Sequence, residues 1–83
     1  MTYRPDARAI PDDRFESSLH VCYEILLYLS SRMAKLPASA IFEFITSDSG
    51  AVDEIPPWCE LRGYTLMSAE PLADGRWRFL NQK

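Results

Sequence analysis

Residues 40–63 read AIFEFITSDSGAVDEIPPWCELRG, and within them one periodicity gives way to another. Ala40 to Thr46 is rich in aromatic and β-branched residues, with Ile41, Glu43 and Ile45 on one face and Phe42 and Phe44 on the other. That alternation predicts a strand covered on at least one side. Ser47-Asp48-Ser49-Gly50 then supplies residues of the kind that cap helices. Asp53 and Glu54 fall in the first turns that follow, where carboxylates favour the positive end of the backbone dipole. Ile55, Trp58, Cys59 and Leu61 are expected to form the apolar side of this helix. Pro56 and Pro57 remove two amide donors, so a kink or split is expected near Ile55. Gly63 is the expected terminator.

Working outward, Leu19, Cys22, Leu26, Leu29, Met33 and Leu36 recur at spacings of three and four, with Ile25 widening the stripe. This predicts an amphipathic helix from about Ser18 to Leu36, ended by Pro37. Downstream, Tyr64 to Glu70 alternates loosely, Asp74-Gly75 signals a hairpin, and Arg76 to Leu80 reads as the final strand. A short extended segment around Arg14 to Glu16 completes the order β-α-β-α-β-β. Two helices separated by strands bury their stripes most economically on one face of a common sheet. The predicted fold class is therefore α/β (α+β): a two-layer sandwich, with a four-stranded mixed sheet and both helices on one face. Residues 1–13, with Arg4, Asp6, Arg8, Asp12 and Asp13 broken by Pro5 and Pro11, predict a flexible N-terminal arm, leaving 14–83 as a single domain.

The 83 residues allow one core and no second domain, and nearly all of the 47% apolar content is needed to build it. Nine basic against twelve acidic side chains give a net charge of −3, the wrong sign for holding phosphates, so no direct nucleic-acid partner is expected. No apolar run reaches the roughly 18 to 20 residues that span a bilayer, and Met1 to Asp13 has no apolar leader core. The expectation is a cytoplasmic protein with no membrane partner. Cys22 and Cys59 are far apart and accompanied by a single histidine, His20, so no metal site is expected.

The block Glu54-Ile55-Pro56-Pro57-Trp58-Cys59, with Asp48 before it and Gly63-Tyr64, Arg78-Phe79-Leu80 and Lys83 after it, resembles the second half of the TusA/SirA-like sulfur-carrier proteins. The same register sets Ser39 on the family's turn glycine and Cys22 on its active cysteine. Around that cysteine the sequence departs from the family. The motif Cys-Pro-x-Pro appears as Cys22-Tyr23-Glu24-Ile25, the glycine three residues earlier is Leu19, and the Asp-Pro that opens the second helix is Asp48-Ser49.

The resemblance implies a small carrier that takes a persulfide sulfur from a cysteine desulfurase and passes it to an acceptor protein of a sulfur relay, without metal or organic cofactor. Cys22 is the implied sulfur-bearing residue. Such chemistry needs a thiolate, which a helix N-terminus favours. If the helix instead begins at Ser17 or Ser18, Cys22 lies a turn inside it as a packed thiol, and the alternative is a non-catalytic binding or regulatory module on the same fold. Tyr23, Glu24, Asp48, Trp58 and Cys59 are the candidate binding residues. Cys59 reads either as a small core residue or as a second sulfur handler, and Trp58 and Trp77 as core or sheet-cover aromatics. Tyr23 and Tyr28 read first as core or sheet-cover aromatics too, the alternative being that they flank Cys22 on an exposed face and anchor a partner. His20, two residues from Cys22, would point to a different side of a helix and not pair with it. The acids Glu43, Asp48, Asp53, Glu54 and Glu60, uninterrupted by a basic residue, serve either capping and solubility or a basic partner.

Overall fold

The structure, a computed structural model, describes residues 11–18, 21 and 23–83. Leu19, His20, Cys22 and most of the expected arm lie outside the described residues. In chain order come β1 (Asp13–Ser17), α1 (Tyr23–Ala34), β2 (Ile41–Thr46), α2 (Ala51–Arg62), β3 (Thr65–Pro71) and β4 (Trp77–Gln82). The strands form one mixed sheet in the order β1-β2-β4-β3, parallel between β1 and β2 and antiparallel elsewhere. This is the α+β sandwich expected from the sequence. β1 opens at Asp13, one residue before the segment expected to be extended.

β2 lies between β1 and β4 and is buried along nearly all its length. Register puts Phe15, Phe44 and Phe79 in one row across three strands, with ring centroids 6.0 and 6.3 Å apart. Against these rings and Phe42 pack Leu29 and Met33 of α1 and Ile55, Trp58 and Cys59 of α2. Each fully buried side chain of this size contributes roughly 1.5–3 kcal/mol, so this layer is what holds the helices to the sheet.

The other face of the sheet carries charge. Glu43 of β2, only 6% exposed, forms ion pairs with Arg14 of β1 and Arg78 of β4, and Arg78 reaches on to Glu70 of β3 at 2.6 Å. A second pair joins Arg76 to Glu16.

Both helix boundaries of α1 differ from the expected Ser18 to Leu36. Val21 is not helical, and the helix runs from Tyr23. At the far end the last turn tightens, Leu36 N–H donating to the Met33 carbonyl at 3.0 Å. The ammonium of Lys83 then donates to the carbonyls of Ala34 and Leu36 at 2.9 and 2.7 Å, taking up acceptors that the helix end leaves free. Arg32 fastens this helix to β1 through a two-pronged contact with Asp13, at 2.9 and 2.6 Å.

α2 runs unbroken from Ala51 to Arg62 despite Pro56 and Pro57. The carbonyls that lose a helical donor to the prolines belong to Val52 and Asp53, both exposed residues, where solvation lowers the cost. Leu61, expected on the apolar side, is 83% exposed. It lies six residues after Ile55, and at about 100° per residue that turns it roughly 120° away from the buried direction. Gly63 ends the helix at φ 78°, with its N–H on the Glu60 carbonyl and that of Tyr64 on Cys59. Ser39 also has positive φ, 70°, at the turn where the resemblance sets a glycine. The β3–β4 turn is wider than two residues: Leu72 N–H donates to the Arg76 carbonyl, enclosing Ala73, Asp74 and Gly75, with Gly75 at φ 90°.

Candidate functional site at the helix N-termini

Because β1 and β2 are parallel and each is followed by a helix, α1 and α2 both start at the same end of the sheet, beyond Ser17 and Thr46. Asp48 stands in this corner. Its N–H donates to the hydroxyl of the fully buried Thr46 at 3.1 Å. One carboxylate oxygen, Oδ1, accepts the Gly50 N–H at 2.9 Å, and the other, Oδ2, accepts the Val21 N–H at 2.7 Å. Val21 is buried in the core cluster and is bonded to Cys22. A single carboxylate therefore ties the start of α2 to the chain entering α1.

Tyr23 and Glu24 form the first turn of α1. Tyr23 is 74% exposed and Glu24 is exposed too. Leu27, one turn further on, is also exposed, giving Tyr23 an apolar neighbour on the surface. Tyr28 turns the other way. Its ring meets Phe15 edge-on at 4.8 Å, and its hydroxyl accepts a hydrogen bond from Arg32 at 2.6 Å, so it links α1 to β1.

Trp58 and Cys59 lie deeper. Trp58 is 7% exposed; its indole N–H donates to the Ser30 hydroxyl at 3.2 Å and its ring meets Tyr64 at 5.5 Å. It fastens one helix to the other. The Cys59 thiol donates to Oδ1 of Asn81 at 3.0 Å, and the Asn81 amide donates in turn to the Phe42 carbonyl at 3.4 Å. Cys59 is 2% exposed, and burial pushes its thiol up to about 12. A sulfur so protonated and enclosed is a poor nucleophile, so the geometry agrees with the core reading of Cys59.

The run of acids does not form one surface. Glu43 is consumed by arginines on the sheet's outer face and Asp48 by main-chain amides, whereas Asp53, Glu54 and Glu60 are exposed along α2. Among the described residues no group of three or more His, Cys, Asp or Glu side chains is arranged to hold a metal ion. None of the described helices is long and apolar enough to cross a membrane.

Three contributors escaped the reading of the sequence. Val21 and Ser30 carry no chemical signal of their own. Asn81 does carry a weak one, as an amide set directly after the apolar pair Phe79-Leu80 in a strand.

No curated protein matches the chain. The family model described as Sulfurtransferase TusA matches residues 20–83, which runs from the segment around Cys22 through both helices to the last strand. The fold, the corner where its two helices begin and this match over most of the sequence agree, and the chain belongs to the TusA sulfurtransferase family.

Proposed function

We propose that the protein carries sulfane sulfur as a persulfide on Cys22, receiving it from a cysteine desulfurase or another sulfur donor and handing it to an acceptor protein in the cytoplasm. Family membership supports a sulfur-carrier role in general terms. The observation that carries the specific reading is where α1 begins. Val21 is outside the helix, and the helix runs from Tyr23, so the described start of α1 falls beside position 22. The burial of Cys59, the other thiol in the sequence, with its thiol pushed up to about 12, supports assigning the exchange chemistry to Cys22.

In the loading step the Cys22 thiolate attacks the outer sulfur of the donor's persulfide. A new S–S bond forms, the donor's S–S bond breaks, and the donor cysteine leaves as its thiolate. Unloading repeats the exchange, with the acceptor thiolate attacking the outer sulfur on Cys22 and the Cys22 thiolate leaving. Neither step is a net oxidation, and neither needs a metal or organic cofactor. Tyr23 and Glu24, exposed on the adjoining turn, are the proposed contacts for donor and acceptor.

The missing prolines of Cys22-Tyr23-Glu24-Ile25 favour the second reading, a binding or regulatory module without sulfur transfer. Intact-mass measurement after incubation with a cysteine desulfurase and cysteine separates the two. The carrier gains one sulfur, and Cys22→Ser gains none. A wild-type protein that gains no sulfur refutes the carrier and leaves the module.

A further inference from the structure

The Val21 N–H is attached to a residue only 8% exposed, and it therefore needs a partner within the protein. That partner is not a neighbouring turn but a carboxylate 27 residues away, at 2.7 Å, within the range of charge-assisted bonds. The carboxylate is itself held from two further points, the Gly50 amide on Oδ1 and the anchoring of its own main chain to Thr46. Gly50 is part of the fit, since a Cβ there would stand 3.2 Å from Asp48 Oδ1.

We infer that Asp48 is a positioning residue for sulfur transfer: it references the backbone next to Cys22 to the rigid end of the sheet through the hydrogen bond to Val21. This rests on the carrier reading above. Asp48 need not touch a sulfur atom. It fixes the direction in which the chain enters α1, and transfer between two proteins depends on such alignment, where a displacement of about 1 Å can cost on the order of a hundredfold in rate. Asparagine at this position replaces one of the two carboxylate oxygens by an NH2 donor, so in this geometry, with Val21 on one oxygen and Gly50 on the other, it keeps an acceptor for only one of them.

The test compares full-length wild type with Asp48→Asn, and with Gly50→Ala as an independent way of crowding the same carboxylate. Three quantities are read: hydrogen exchange at the Val21 amide without any donor, sulfur loading from a cysteine desulfurase with cysteine, and alkylation of Cys22 by iodoacetamide. Both variants should exchange Val21 about tenfold faster and load sulfur about tenfold more slowly. Alkylation by the small probe, which needs no protein alignment, should stay within about threefold of wild type. Unchanged exchange at Val21, unchanged loading, or equal losses of loading and alkylation would each overturn the inference. A wild-type protein that takes up no sulfur overturns the carrier reading itself; a wild type that loads with Asp48→Asn loading equally well overturns only the role of Asp48.

Discussion

Thiol chemistry at two cysteines in so small a protein offers a sharp test. At pH 7.5 a thiol of ordinary pKa, near 8.5, is about one-tenth ionised. With its thiol pushed up to about 12, Cys59 would be ionised in only about three molecules per hundred thousand at that pH. Protonation alone therefore slows Cys59 by roughly 3,000-fold relative to a free cysteine. Enclosure slows it further, because a residue 2% exposed beneath α2 meets reagent only when the helix opens. The assay is alkylation of the wild-type protein with iodoacetamide at about pH 7.5, followed by peptide mass mapping of Cys59 over time, with and without denaturing urea. In urea Cys59 should label as a normal thiol; in buffer its rate should be at least about three orders of magnitude lower and climb roughly tenfold per pH unit. Native labelling within about tenfold of the urea rate would refute the buried, protonated state, and with it the argument that Cys22 alone is left for sulfur exchange.

Four other outcomes are expected. Glu43→Gln removes the charge that Arg78, with its side chain 16% exposed, depends on, while the contact to the 65%-exposed Arg14 matters little; the loss should be about 2–4 kcal/mol by urea denaturation, and less than about 1 would contradict the buried pairing. Cys59→Ala leaves Asn81 Oδ1 without its donor and a void beside Phe42, so stability should fall by about 2–3 kcal/mol while loading of sulfur on Cys22 is retained. The Asp13 carboxyl is held below its ordinary value, first by its hydrogen bonds from Arg32. A lowered carboxylate contributes stability above its unfolded-state value of about 3.9, and this is lost as pH falls through the folded value; urea midpoints of wild type and Asp13→Asn should differ at neutral pH and converge as the pH falls below the ordinary carboxylate range. Ser39→Gly relieves a side chain at φ 70° and should raise stability by up to about 1 kcal/mol, seen as a higher melting temperature.

The order of elements was legible because each segment obeys a single period, two for AIFEFIT and three to four for the stripe ending at Leu36. The start of α1 was not. Apolar spacing runs back through Cys22 to Leu19 without a break, and nothing local marks Tyr23 as the start of the helix. The bond that holds Val21 just ahead of the helix comes from Asp48, a contact between distant parts of the chain. The burial of Trp58 and Cys59 followed from residue type, whereas the hydrogen bonds that satisfy them, to Ser30 and Asn81, join elements whose proximity no single window contains. Glu43 misled for the same reason. It reads as one more acid in an acidic stretch, yet its arginines arrive from two other strands.

The ion row across the sheet has a consequence for how the strands find their places. Sliding β1 along β2 by two residues would keep every aromatic on the inner side, so apolar patterning alone does not detect the error. Charge does. In the native register Arg14 faces Glu43. A slide of two in one direction would bring Asp12 opposite Glu43, and in the other Glu16, so either mistake sets carboxylate against carboxylate. The chain thus carries, on the side away from its helices, a vernier that admits one alignment of its parallel edge strand and repels the nearest two counterfeits.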